Sequence, residues 1–165
     1  MDIISHGLWG SLVFGRSNKK SFWKAFLFGV APDFIPFAPF FILMIFGFAK
    51  YPGFSTEPPV AGAIPDYVYF LYKITHSLVI FAVVFFGAWL IKRKFFWPMA
   101  AWGIHVLLDI PTHSYKFFPT PFLWPVANFE INGIPWADPI IFFPNVLILA
   151  ILYYYFFVYR KRYAK

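Results

Sequence analysis

Three long apolar runs constrain the fold of this chain more than any other feature of its sequence. They cover residues 25–49, 67–91 and 139–159. A helix of roughly 20 apolar residues crosses a hydrocarbon layer about 30 Å thick, so each run is long enough to span a membrane. The 165-residue chain is 61% hydrophobic and only 13% charged, about half the charge of an ordinary soluble domain. We therefore predict an integral membrane protein.

Two shorter apolar segments, residues 3–15 and 95–110, accompany these runs. The first is short for a span and fits either a tilted or a half-buried helix. Pro111 should end or kink the helix over 95–110, because proline clashes with the preceding turn. With no internal repeat and no linker, the prediction is one all-α domain over residues 1–165, a polytopic membrane helical bundle of four to five membrane segments.

Basic residues fall into three clusters between or after the apolar segments. Alternating passage places all three on one side, and the positive-inside rule makes that side cytoplasmic. The net charge of +7 is therefore interpreted as an orientation signal for an inner or cell membrane, and nucleic acid is not expected as a partner. The clusters are Arg16, Lys19, Lys20 and Lys24; Lys92, Arg93 and Lys94; and Arg160, Lys161, Arg162 and Lys165.

The remaining loops, residues 50–66 and 111–138, contain acids and few lysines, so they are predicted to face outward. The second loop is rich in proline and aromatic residues, unlike a disordered linker, which would be polar. We expect it to lie folded at the membrane interface, with Trp124 and Trp136 at headgroup level.

Histidine and aspartate within apolar segments carry the functional prediction. An aspartate at the centre of a span costs about 2.5–3.5 kcal/mol, so such residues need partners. The chain has no cysteine, which leaves histidine and carboxylate as its strong metal ligands, and a bound cation would offset the cost of burying the acids. The candidate metal ligands are His6, Asp33, His76, His105, Asp109 and His113.

The sequence HVLLDIPTH, residues 105–113, supports this prediction by its spacing. Residues four apart share one face of a helix, so His105 and Asp109 can bind one ion or bridge two. Pro111 interrupts the stripe, which favours a position for His113 on the turn just past the helix end.

Each candidate also has a purely structural interpretation. His76 alone is more typical of a hydrogen bond between helices, and Asp33 fits an N-cap for a helix that restarts after Pro32. Pro32, Pro36 and Pro39 are expected to break the helix there. Glu130 fits either a general acid or base on the 111–138 loop or, more simply, a surface residue.

Four sequence blocks resemble, in the same order, the YdjM-like inner-membrane metal-dependent hydrolases, a family also described as LexA-binding. The blocks are SHGLWG at 5–10, APDFIP at 31–36, THSLV at 75–79, and GIHVLLDIPTH at 103–113 followed by FLWP at 122–125. The resemblance covers most of the chain and implies a metal site formed by His6, Asp33, His76, His105 and Asp109, with His113 added. A looser similarity to zinc-dependent phospholipase C and the S1/P1-type nucleases suggests phosphoester hydrolysis.

The chain departs from the family pattern in two places. Ile35 stands where many relatives have a second aspartate, and Leu71, Tyr72 and Lys73 replace a His-Arg-Gly element. These departures imply a smaller metal site or a lost activity.

Two functions from different classes are consistent with these residues. The first is a membrane-embedded hydrolase that uses one to three divalent ions, zinc being favoured, and acts on a phosphoester in a lipid or other amphiphile. Asp109 would bridge the ions, and a free carboxylate, Asp33 if it is not a ligand, would act as general base. The alternative is a non-enzymatic membrane protein whose histidines and aspartates transfer protons or metal ions. A third interpretation is that the polar groups only fix helix packing.

Overall fold

The computed structural model describes residues 1–49 and 64–160, which form helices joined by loops, with no β-strand in these ranges. The predicted all-α class is therefore confirmed for the described residues. Most of the predicted outward loop (50–63) and most of the basic C-terminus (161–165) lie outside them. The helices are α1 (Ile3–Phe14), α2 (Lys19–Ile45), α3 (Asp66–Thr75), α4 (Leu78–Lys92), α5 (Ala100–Thr112) and α6 (Pro139–Tyr153), with a 3₁₀ turn (Trp97–Met99) before α5 and a π-helical segment (Tyr154–Tyr159) after α6.

Two to three helical segments are long and apolar enough to cross a membrane. They are α2, the continuous segment Pro139–Tyr159, and the bent pair of α3 and α4 if that pair forms one span. Only 22% of the apolar window of α2 and 11% of that of Pro139–Tyr159 is buried within the protein. Most of this apolar surface therefore faces outward, as expected when the surrounding solvent is lipid.

The apolar run 67–91, predicted as one helix, is broken at His76 and bends by 55°. Loop segments supply hydrogen-bond partners at the break. The Ser77 hydroxyl donates to the Trp124 carbonyl, and the Phe122 carbonyl accepts the first backbone N–H of α4 at 2.9 Å. A break in an apolar environment is stable only when such groups are satisfied, so the loop holds open the kink that carries His76.

Helix α2 is continuous through its three prolines, so the predicted break at Pro32, Pro36 and Pro39 is wrong. The spacing i, i+4, i+7 places the prolines along one face, and the hydrogen bonds they cannot form are therefore missing from that face only. Asp33 consequently lies inside α2 and is not the N-cap of a restarted helix.

Helix α5 continues one residue past Pro111 and ends at Thr112, close to the predicted end. His113 is extended (φ −122°, ψ 140°), so it lies just past the helix as expected. The loop that follows folds back: the backbone N–H of Trp136 donates to the Thr112 carbonyl at 2.9 Å and that of Ile134 to the Pro111 carbonyl at 3.0 Å. These bonds satisfy carbonyls that every helix end leaves free.

Glycine allows the backbones of α1 and α2 to approach each other closely. A Cβ atom at Gly29 would lie 2.6 Å from the His6 carbonyl oxygen and 3.1 Å from the Gly7 Cα. Small residues at helix contacts are the usual way to achieve such an approach in membranes. This contact places His6 of α1 beside the α2 turn that precedes Asp33.

A buried amide joins α6 to α1. Asn145 accepts from Trp9 Nε1 at 2.8 Å and donates to Ser5 Oγ at 2.9 Å. Asn145→Leu should lower the free energy of unfolding by about 1–2 kcal/mol, because it leaves two polar partners unsatisfied. Thermal melting in detergent measures this, with Val146→Leu, on an exposed position of the same helix, as the control. Equal melting temperatures for the two variants would contradict it.

Candidate metal centre

The six predicted ligands come together at one place in the helical bundle. Helix α1 supplies His6, α2 supplies Asp33, and the break between α3 and α4 supplies His76. Helix α5 contributes the rest: His105, Asp109 and the residue at its C-terminal end, His113. The other five are buried, and Asp33, whose side chain is 15% exposed, is the most accessible of the six.

Asp33, His76, His105 and Asp109 form a compact group able to hold a metal ion. His76 Nε2 lies 3.2 Å from Asp33 Oδ1 and 3.4 Å from Asp109 Oδ2. His105 Nε2 lies 3.6 Å and 3.1 Å from the same two oxygens. Nitrogen and oxygen ligands of a tetrahedral zinc ion, each about 2.0–2.1 Å from it, are about 3.3 Å apart. The separations between these side-chain atoms therefore match those between ligands of one metal ion.

Backbone carbonyls determine which nitrogen of each ring faces this group. His105 Nδ1 lies 2.7 Å from the Gly29 carbonyl oxygen, and His76 Nδ1 lies 3.2 Å from the Tyr72 carbonyl oxygen. A carbonyl only accepts, so His105 Nδ1 carries the proton that it donates. His76 Nδ1 also lies 3.0 Å from the Thr75 hydroxyl, which itself donates to the Tyr72 carbonyl at 3.4 Å, so a protonated Nδ1 is the tautomer in which both oxygens accept from it. In the neutral rings, both Nε2 atoms then present lone pairs to the group. Metal-binding histidines are commonly oriented in this way.

The two Nε2 atoms are close enough to share a proton or a cation. His76 Nε2 and His105 Nε2 are 3.0 Å apart, and both side chains are fully buried. Two lone pairs at this separation repel each other unless a proton or a cation is shared with them. The two neighbouring carboxylates make a divalent cation a good fit, because its charge also offsets theirs.

The other carboxylate oxygen of Asp109, Oδ1, lies near two further histidines. Its Oδ1 lies 2.9 Å from His6 Nε2 and 3.3 Å from His113 Nε2, and the Met1 amino nitrogen contacts the same oxygen. His6 is fully buried, and neither of its ring nitrogens has a hydrogen bond of acceptable geometry within the described residues. Asp109 thus lies between two sets of imidazole nitrogens, one on each carboxylate oxygen.

Sequence reasoning missed the groups that orient the ligands. The Gly29 and Tyr72 carbonyls are backbone groups, which every residue has, so the sequence does not indicate their role. Gly29 itself, four residues before Asp33, was a usable signal of close helix packing. The Tyr72 ring also stacks on the His76 ring, with centroids 3.6 Å apart. Trp102 Nε1 donates to the Thr75 carbonyl at 2.6 Å, which ties α5 to the helix break.

Glu130 has the position of a surface residue on the loop after α5. Its side chain is only partly buried, and its backbone carbonyl accepts from the Tyr115 hydroxyl at 3.0 Å. Burial raises the pKa of the Glu130 carboxyl, and the positive charge of Lys73 opposes this rise. The surface interpretation of Glu130 is the one that this position favours.

The fold and the cluster define an all-helical protein with two to three candidate membrane spans and a buried His/Asp group that could hold a metal ion. No protein-family model, no curated protein and no solved structure matches the chain. The resemblance to the YdjM-like hydrolases therefore remains a prediction based on the four sequence blocks.

Proposed function

We propose that this protein is a membrane-embedded, metal-dependent hydrolase that acts on a phosphoester of a lipid or other amphiphile. One observation carries the proposal: two buried Nε2 atoms, each turned inward by a backbone carbonyl, lie 3.0 Å apart and next to two carboxylates. A group that only fixed helix packing would satisfy its own hydrogen bonds. This one leaves both ring nitrogens of His6 and the Oδ2 atom of Asp109 without a hydrogen-bond partner among the described residues.

Asp33, His76, His105 and Asp109 would hold one divalent ion, with zinc favoured by the ligand set. His6 and His113, both on Asp109 Oδ1, would hold a second ion in place of the Met1 amino group that contacts the same oxygen, and Asp109 would bridge the two ions. When bound, such ions supply Lewis acidity toward a phosphoryl oxygen and make a water nucleophilic near neutral pH.

Other groups of the protein would orient the ligands and accept the proton. The Gly29 carbonyl holds His105 in one tautomer, and the Tyr72 carbonyl does the same for His76, so neither ring must reorient during turnover. Asp33 is the most exposed carboxylate of the group, and only its Oδ1 contacts the two histidines, at 3.2 and 3.6 Å. Its other oxygen would accept a proton from the attacking water as general base.

The proposed topology has four to five membrane segments, with the basic clusters in the cytoplasm and the site toward the outer face. The folded loop 114–138 would lie at the outer interface and admit an amphiphilic substrate. Its exposed apolar side chains, among them Val126 and Phe129, support contact with lipid.

The alternative, transfer of protons or metal ions, is less well supported by the arrangement. A transfer pathway needs polar groups staggered through the depth of the membrane. Here all four histidines contact one another or a shared aspartate in a single cluster. Clustering in one place is typical of a catalytic centre.

Removing the metal provides the test of this function. Treatment with a strong chelator should abolish hydrolysis of a chromogenic nitrophenyl phosphodiester or of short-chain phosphatidylglycerol by purified protein. Adding back zinc should restore it, because the ligands are preorganised by their backbone partners. Absence of bound metal in freshly purified protein, or turnover that survives chelation, would refute the proposal.

A further inference from the structure

An open cleft of about 1010 Å³ lies at the basic end of the bundle, where the α1–α2 turn, the 3₁₀ turn and the π-helical segment meet. None of its lining residues belongs to the His/Asp cluster. Lys19 at its edge precedes Asp33 on α2 by 14 residues, about 21 Å along the helix axis at 1.5 Å per residue. The cleft is therefore a separate feature of the molecule.

Positive charge and aromatic surface are combined in this cleft. Arg16, Lys19 and Arg160 line it, and no acidic residue occurs among its described lining residues. The Arg16 guanidinium lies 4.1 Å from the centre of the Phe156 ring, a cation–π contact that holds the charge at the cleft. Arg16 and Lys19 come from the α1–α2 connection and the start of α2, and Arg160 follows the π-helical segment, so the fold brings together charge from two distant parts of the chain.

Apolar side chains form the rest of the lining. The Trp97 and Phe14 rings stack with centroids 6.3 Å apart and planes within 8° of parallel, and Trp97 is 56% exposed. Such a surface suits acyl chains or the glycerol region of a lipid, while a small hydrated anion would gain nothing from it. Basic pockets between membrane helices on the cytoplasmic side are known to bind anionic headgroups.

We propose that this cleft binds the phosphate headgroup of an anionic membrane lipid, with its acyl chains along the aromatic wall. The guanidinium groups of Arg16 and Arg160 would contact the phosphate, since planar guanidinium groups match phosphate oxygens in pairs. Lys19 would add a point charge. The proposal concerns a lipid site distinct from the metal centre and does not depend on hydrolysis.

Native mass spectrometry from micelles that contain phosphatidylglycerol and phosphatidylcholine tests this site. The wild-type protein should retain one phosphatidylglycerol in preference to phosphatidylcholine. Arg16→Gln with Arg160→Gln should weaken that retention by about 30-fold, given an attraction of about 1 kcal/mol between each basic residue and anionic lipid. Lys20→Gln with Lys94→Gln removes the same charge from exposed positions at the same end but outside the cleft, and should leave retention unchanged.

Two further arms make the result decisive. Arg16→Lys with Arg160→Lys keeps the charge and should keep part of the preference, which separates charge recognition from misfolding.

Inorganic phosphate added as competitor should not displace the lipid, and displacement at a similar concentration would assign the cleft to free phosphate and overturn the lipid proposal. Equal losses in the two glutamine pairs, or no lipid preference in the wild type, would also overturn it.

Discussion

Asp109→Asn is expected to abolish metal binding and to lower phosphoester turnover by at least about 100-fold. The substitution keeps the size of the side chain but removes the negative charge that both sets of imidazole nitrogens face. Loss of residues that only support a metal ligand already costs 10–100-fold, so loss of the shared ligand should cost no less. Inductively coupled plasma mass spectrometry gives metal per chain, and the chromogenic assay gives turnover.

Glu130→Gln is the matched control for this experiment. It removes the same charge from a carboxylate that lies on the loop and outside the cluster, so metal content and turnover should stay within about twofold of wild type, a range typical of surface changes. Two results would count against the metal centre: wild-type metal content in Asp109→Asn, or an equal loss in both variants. Loss of turnover in Glu130→Gln with full metal content would assign Glu130 the role of acid or base.

Gly29→Ala should destabilise the protein by about 2–3 kcal/mol, the cost of inserting a methyl group where no space exists. The new Cβ would lie 2.6 Å from the His6 carbonyl oxygen, a backbone atom that cannot rotate away. The Gly29 carbonyl also accepts from His105, so separation of α1 from α2 should misplace two ligands and lower metal content together with stability. Thermal melting in detergent and metal analysis on the same sample measure both effects.

Gly87→Ala is the control, because no atom outside the local helix backbone lies within 4 Å of a Cβ built at that position, among the described residues. It should leave stability unchanged or raise it by up to about 1 kcal/mol through the better helix propensity of alanine. If Gly29→Ala melts like Gly87→Ala, the close approach of α1 and α2 does not set the geometry of the metal centre.

The clustering of the candidate ligands could be predicted because polar groups within apolar segments are visible in the sequence and need partners when they are buried. His105 and Asp109 share a helix face by spacing, and they lie 3.1 Å apart at their contacting atoms. His113 follows the helix that Pro111 was expected to end, and the helix ends one residue later. These predictions concern local geometry, which the helical repeat and proline stereochemistry determine.

Two predictions, on the effect of the α2 prolines and on the continuity of the run 67–91, were wrong. The three prolines in α2 were expected to break it, yet the helix continues because they lie along one face. The run 67–91 was expected to be continuous, yet it breaks at His76 because the Phe122 and Trp124 carbonyls satisfy the exposed groups there. Hydrogen-bond partners from a distant segment decide whether a helix break is stable. The local sequence pattern does not show whether such partners are present.

By itself, the sequence determined the class of the protein and the residues of its candidate centre, because hydrophobicity and the cost of burying charge are properties of composition and spacing. Only the tertiary structure decided how those residues meet. The contact between Gly29 and His6, the kink at His76 and the carbonyls that select each imidazole tautomer bring Nε2 atoms of separate helices to 3.0 Å. Such distances depend on packing between segments far apart in the chain, and periodicity within one segment carries no information about them.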